Sequence, residues 1–422
     1  MLTRSTSSGD RQTGTARSSL FVFPSDLVVE GVREVLARVR ERGVEAVTVA
    51  VAYHQARDVM PHASVRRVVH RHDGVFLPLP PEVWEGVRLR PAAQPAEEVV
   101  AVARLLEDTA PGEVLAWTVF LHNTTLGTAH PDVCAENCFG DRLLADLCPA
   151  NPDVADYAVA LARTAAAAGP VVAEALAYGT FDHGHHHERS FVPLGPGERL
   201  LLGLCFCAHC RRAAGAAGVD ADRLRAAVAG HLDRVLGGEE VTTSDDPASL
   251  SAAVGEDLAG FLAVRQDVVT ALTRRVADAV HADGGRLVYL DLTGALLGYG
   301  SGTPEGPSAA EQGWRTGVDA SALAPLVDGY AYLGYARDVE RLRVDVASVV
   351  DAVGGRCPVR VVLRPGHPDT GDAANLAEKT AACASLGVAA VDFYNYGMYP
   401  WPVLDRIPAA LTAAGDPDQS PV

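Results

Sequence analysis

A (β/α)8 barrel of the α/β class is predicted by three features of the sequence. Eight strand-length apolar runs between Leu20 and Phe393 alternate with segments of helical period, and eight is the number at which parallel strands, each followed by a helix, close on themselves. Most runs are continuously apolar, as expected of strands covered on both faces. The first strand–helix turn also lacks the Gly-x-Gly-x-x-Gly pattern of a doubly wound open sheet.

The elements follow in order. Leu20 to Phe23 reads as the first strand, and Leu27 to Arg42 as a helix capped by Ser25 or Asp26. Ala46 to Tyr53 is the second strand. Between Arg66 and Pro95, short apolar pairs and several prolines predict an inserted hairpin and an extended loop. A helix from Pro95 to Asp108 leads to a third strand, Val114 to Leu121, which ends in His122-Asn123. A long cysteine-bearing loop precedes a helix from Pro152 to Ala168, with proline in its first turn. Val171 to Tyr178 is the fourth strand, followed by a polar loop and an Ala/Arg-rich helical region. Helix Leu258 to Ala282 feeds a fifth strand, Arg286 to Leu292, and then a long loop, Gly298 to Gly317. Strands Val327 to Leu333, Val359 to Leu363 and Val388 to Phe393 complete the eight, with helices Val339 to Val353 and Asp372 to Leu386 between them. Residues 1–18 read as a disordered leader, 19–414 as one barrel domain and 415–422 as a mobile tail.

The chain has 422 residues, 48% hydrophobic and 21% charged, an ordinary balance for a globular protein with a large core. Its formal charge of -17 is spread along the sequence without the clustered cations that phosphate-backbone binding needs, so no nucleic-acid partner is expected. No run approaches the roughly 20 apolar residues of a membrane helix, and none before the first strand has signal-peptide length. A cytoplasmic protein without a membrane partner is expected, and the composition is compatible with a homo-oligomer. Lys379 is the sole lysine and falls in a helix, so Schiff-base and phosphate-loop chemistries have no candidate.

Three thiols in Cys205-Phe206-Cys207-Ala208-His209-Cys210 have a spacing from which one soft metal ion can be bound by a single turn, and zinc suits thiolates best. Few cysteines, most of them clustered in two loops, favour metal over disulfides in a reducing compartment. A fourth ligand must come from elsewhere: Cys148 opens the helix at Pro152, and Cys134 and Cys138 lie in the loop before it. Four thiolates close the shell, so such a zinc is structural.

The run Cys148-Pro149-Ala150-Asn151-Pro152, a helix, a strand, and then Cys205-Phe206-Cys207-Ala208-His209-Cys210-Arg211-Arg212 resembles the middle of the family 42 glycoside hydrolases. That resemblance implies a (β/α)8 barrel with Cys148, Cys205, Cys207 and Cys210 as zinc ligands, and a β-galactosidase-like ancestry. It covers about Cys148 to Arg212. The family's Asn-Glu pair at the end of strand four is replaced here by Tyr178-Gly179, and its second glutamate, ending strand seven, by Leu363-Arg364. Galactosidase activity is therefore not carried over, and a divergent glycoside-hydrolase-like barrel is expected.

Candidate acid–base groups are Glu174, the carboxylate of strand four, whose neighbours of opposite parity are alanines; Asp291, at the end of strand five; and Asp182 in reserve. His183, His185 and His187 alternate along the loop after strand four and suit substrate or a second metal. Polar and aromatic residues at other strand ends, His54, His122, Asn123, Tyr178, Tyr332, Arg364 and Asn395, suit the edges and faces of a sugar. Together these predict an enzyme acting on a carbohydrate or other glycoside, as a small molecule or an oligosaccharide. Two rivals stand beside it: a metal-dependent lyase or isomerase using the histidine loop, and a carbohydrate-binding barrel without catalysis.

Overall fold

The structure is a computed structural model and describes residues 17–65, 67–182 and 189–415. The expected closed barrel is present. Its strands are β1 (Ser18–Val22), β2 (Ala46–Tyr53), β3 (Val114–Val119), β4 (Val171–Glu174), β5 (Leu287–Asp291), β6 (Gly329–Leu333), β7 (Val359–Leu363) and β8 (Ala390–Phe393). Each pairs in parallel with its sequence neighbours, and β8 returns to β1 with Ser19 opposite Asp392. The segment between β2 and the next barrel helix holds the inserted hairpin, Ala56–Val59 against Val68–Arg71, and Gly74–Val75 adds antiparallel to the end of β2.

Ring contacts between non-adjacent strands identify the lumen. Phe21 of β1 meets Trp117 of β3 at 5.1 Å between centroids, and Trp117 meets Tyr394, just after β8, at 5.7 Å. Two residues below Phe21, Ser19 donates to Asp392 at 2.7 Å and shares a 2.6 Å hydrogen bond with Thr48, while Arg360 binds the same carboxylate through Nε and Nη2. A polar knot thus fills the lower lumen and an aromatic cluster the upper. Arg360 and Asp392 are both buried, and their pairing through two hydrogen bonds is what makes that burial tolerable.

Three expectations change in detail. The helix expected over 27–42 is broken at Gly31, whose φ of 92° lies where only glycine is comfortable, into Pro24–Glu30 and Val32–Glu41. Strand β4 stops at Glu174 rather than Tyr178, because Ala175 takes a left-handed φ of 54° that ends the ladder. The region after β4 resolves into helices Pro196–Leu202, Ala208–Ala216, Ala221–Leu236 and Pro247–Val254 before the long helix Asp257–Ala282. These helices enclose a second apolar core beside the barrel, built on Leu201, Phe206, Leu224, Leu232, Leu258 and Phe261. It carries the cysteines.

Candidate active site

With β4 ending early, Glu174 becomes the last residue of its strand, at the C-terminal mouth where barrel chemistry is gathered. Trp117 Nε1 donates to Glu174 Oε2 at 2.5 Å. Glu174 lines a cavity of about 60 Å³. Burial raises its pKa from 4.5 to about 7, against the pull of the Trp117 hydrogen bond. The left-handed Ala175 is held in place because its carbonyl accepts from Leu121 N–H at 3.1 Å, one residue after Phe120 N–H binds the Glu174 carbonyl at 2.9 Å. A strained residue directly after a carboxyl of raised pKa fixes where that carboxyl points.

The same cavity is lined by His54, His122, Asp146 and Tyr178. His122 Nδ1 lies 3.5 Å from Asp146 Oδ1, and the rings of His54 and His122 meet edge to face at 4.9 Å. Asp146 reaches the cavity from the hairpin strand Arg142–Leu147, which crosses the barrel mouth and bridges to His122. Gly179 closes over it: a Cβ there would overlap the Asp146 carboxylate. Sequence reasoning missed both Asp146 and Trp117. The usable signal for Asp146 was a lone acid within the apolar run Leu143 to Leu147.

Through Gly179, Thr180 and Leu296 this cavity adjoins a larger one of about 450 Å³. Asp182 lines the larger cavity, ion-paired at 2.6 Å with Arg199, and Arg315 on its wall pairs at 2.6 Å with Asp245. His183, His185 and His187 lie outside the described residues.

Five expected site residues are engaged elsewhere. Asp291 lines neither cavity: it is buried, raised by that burial, and accepts from Thr293 N–H, Thr293 Oγ1 and Tyr330 OH. Its proposed pairing with Glu174 across one substrate is therefore replaced. Asp291 is one residue beyond Leu290, the residue in register with Glu174, so alternation turns it to the other side of the sheet. Tyr332 has the same parity as Tyr330 and is buried, with its hydroxyl packed against Gly294. Asn123 caps the helix Thr124–Ala129 by accepting from Leu126 N–H at 2.8 Å. Asn395 is fully buried and accepts from Gly397 N–H. Arg364 is buried at 2.5 Å from Asp369, its guanidinium 4.0 Å from the Tyr335 ring centre.

Beside the cavity, the second core holds Cys148, Cys205, Cys207 and Cys210, all buried, with one sulfur of each within 4.8 Å of the others. Sulfur separations from Cys148 are 3.5 Å to Cys207, 3.5 Å to Cys210 and 3.7 Å to Cys205. A cation about 2.3 Å from four sulfurs needs tetrahedral edges of about 3.8 Å, so these residues fit a metal ion. Cys207 caps the helix Ala208–Ala216 and Cys210 sits in its first turn, while Cys148 precedes Asn151, the cap of helix Pro152–Ala166. Hydrogen bonding among the sulfurs holds Cys207 low and Cys148 high. Cys134 and Cys138 lie outside the group: Cys134 points to the Gly127 carbonyl, and burial raises both thiols, to about 12 and about 11.

No family model matches the chain, and no curated protein does. Solved structures similar to it include a chitinase from Chromobacterium violaceum (11% identity, 94% of this chain and 99% of that one, TM-score 0.36). Others are the endo-beta-1,4-mannanase from Thermotoga petrophila (10%, 97% and 78%, 0.39) and a methyltransferase from Methanosarcina mazei (11%, 95% and 92%, 0.31). Among the described residues, no helix is long and apolar enough to cross a membrane.

Proposed function

We propose that the chain is a glycoside-hydrolase-like enzyme acting on a carbohydrate or glycoside, with Glu174 as general acid and Asp146, supported by His122, as the second carboxyl group. The observation that carries this reading is Glu174 itself: a carboxyl that keeps its proton to about 7, at the end of a barrel strand, on a cavity it shares with another carboxyl group. Glycoside hydrolysis asks for such a pair, one acid raised by an apolar setting and one base or nucleophile in a polar one. The small cavity takes the scissile bond and the larger one the sugar beyond it, where Asp182 and Arg199 offer partners for hydroxyls.

Glu174 would hand its proton to the leaving oxygen, and the Trp117 N–H would then stabilise the carboxylate left behind. His122 orients Asp146 for attack or for activating water. The metal assigned to the four thiols is zinc; with no open position it supplies structure, fixing the segments that carry Asp146 and Tyr178.

Glu174→Gln should leave the fold intact and lower turnover on a panel of aryl glycosides by about 10²–10⁴-fold. Full turnover in that variant would refute the assignment, and sugar binding without turnover in the unmodified protein would favour the binding barrel. For the metal, Cys207→Ser should abolish retention of about one zinc per chain and lower the melting temperature, since a structural zinc contributes its binding energy to folding. An unchanged melting temperature would remove the structural role.

A further inference from the structure

Arg265, on the long helix Asp257–Ala282, is 2% exposed, and its Nε and Nη1 have no hydrogen-bond partner among the described residues. A guanidinium cannot shed its proton at ordinary pH, so a buried one needs a negative neighbour. Tyr178 and the thiols Cys210, Cys205 and Cys148 lie close enough to act on it. Its guanidinium carbon lies 4.5 Å from the centre of the Tyr178 ring, and the Tyr178 hydroxyl lies 3.4 Å from Cys210 Sγ.

Four thiolates around one divalent cation leave a net charge of about -2 in a buried core. Arg265 supplies the opposite charge one ring away. We infer that Arg265 is the counter-charge of the metal–thiolate centre, acting through Tyr178, whose phenol donates to the Cys210 thiolate while its ring stacks on the guanidinium. Arg265 also lines the larger cavity and Tyr178 the smaller. The same two side chains therefore join the thiol centre to the substrate wall, and Arg265 is a positioning residue rather than a catalytic one.

This rests on the four thiols holding zinc, and the test separates the two claims. Zinc release to an excess of a chromogenic chelator is followed at fixed pH for the unmodified protein, Arg265→Met and Arg265→Lys. Removing the charge should speed release at least about tenfold, equivalent to 1.4 kcal/mol, while Arg265→Lys stays within about threefold of the original rate because the charge remains. Protein isolated without metal would sink both claims; zinc released from Arg265→Met at the unmodified rate would overturn this one alone. If Arg265→Met does not fold, Arg265→Lys decides: release near the original rate supports the counter-charge, and release tenfold faster overturns it. Cobalt-loaded protein adds a second readout, since loss of the counter-charge should shift the thiolate-to-cobalt absorption band, and an unshifted band counts against the inference.

Discussion

Strands β4 and β7 both lead into buried charge at the barrel mouth, and the two ends behave differently. At β4, Glu174 has an indole for a neighbour and lines a cavity, and burial alone sets its raised pKa. At β7, Arg364 lies against the Tyr335 ring and 2.5 Å from Asp369, and the fully buried Lys379 donates to the Asp369 carbonyl and, at 3.1 Å, to Thr370 Oγ1. Burial also raises Asp369, but two cations oppose it, and none of the three residues lines either cavity. What separates the carboxyl proposed to react from the structural one is the counter-charge. Burial raises Glu174 against a hydrogen bond from Trp117 alone, whereas at Asp369 two cations, Arg364 and Lys379, oppose the same effect.

The sharpest way to break this comparison is Asp369→Asn. It leaves Arg364 and Lys379 as buried cations without an anion, and removing one partner of such a group costs about 3–5 kcal/mol. Denaturant unfolding at neutral pH should show that loss, while turnover per folded molecule stays within a few-fold. A stable Asp369→Asn protein with lost turnover would move the chemistry to β7.

A somewhat smaller effect is expected from pH. The folded protein holds the Glu174 proton more tightly than the unfolded chain does, so this group's contribution to stability is complete below pH 4.5 and is lost as pH rises through about 7. That rise from 4.5 to about 7 corresponds to about 3 kcal/mol. Glu174→Gln cannot ionise, so its stability relative to the unmodified protein should improve by that order between pH 4.5 and pH 8, read from unfolding curves across the range. A difference that does not vary with pH would mean that the carboxyl titrates as an exposed one does. In the same window, turnover should fall on the alkaline side as the general acid is lost.

The barrel was legible because parallel strands covered on both faces are mostly apolar, and the runs are so apart from single polar residues such as Arg360 and Asp392 that pair inside the lumen. The thiol centre was legible because three of its four ligands lie within six residues, Cys205 to Cys210. The family resemblance pointed to Cys148 rather than Cys134 or Cys138, and the fold brings Cys148 to the other three thiols. The cavity was half legible. Glu174, His54, His122 and Tyr178 were named, but Asp146 reaches the mouth on a crossing hairpin that the barrel rhythm does not announce. Position at a strand end also proved too weak a criterion, because alternate residues at such an end face opposite sides of the sheet. Ala175 is the extreme case: one left-handed residue shortened a strand expected to reach Tyr178, and so brought Glu174 to the rim.

Asp291 gives the smallest effect and the cleanest control. It too is a carboxyl raised by burial at the end of a barrel strand, but its oxygens are already taken by Thr293 N–H, Thr293 Oγ1 and Tyr330 OH. In Asp291→Asn the amide oxygen can still accept from Thr293, and the Tyr330 hydroxyl can rotate to accept from the new amide N–H. The exchange therefore redistributes hydrogen bonds and loses at most one, worth about 1 kcal/mol. Unfolding should register that small loss, and turnover on the substrate that Glu174→Gln fails to process should be unchanged. A loss of turnover of more than about tenfold in a stable Asp291→Asn protein would restore Asp291 to the reaction and remove the need for Asp146, because a positioned proton-transfer group accounts for about 10²–10⁴-fold.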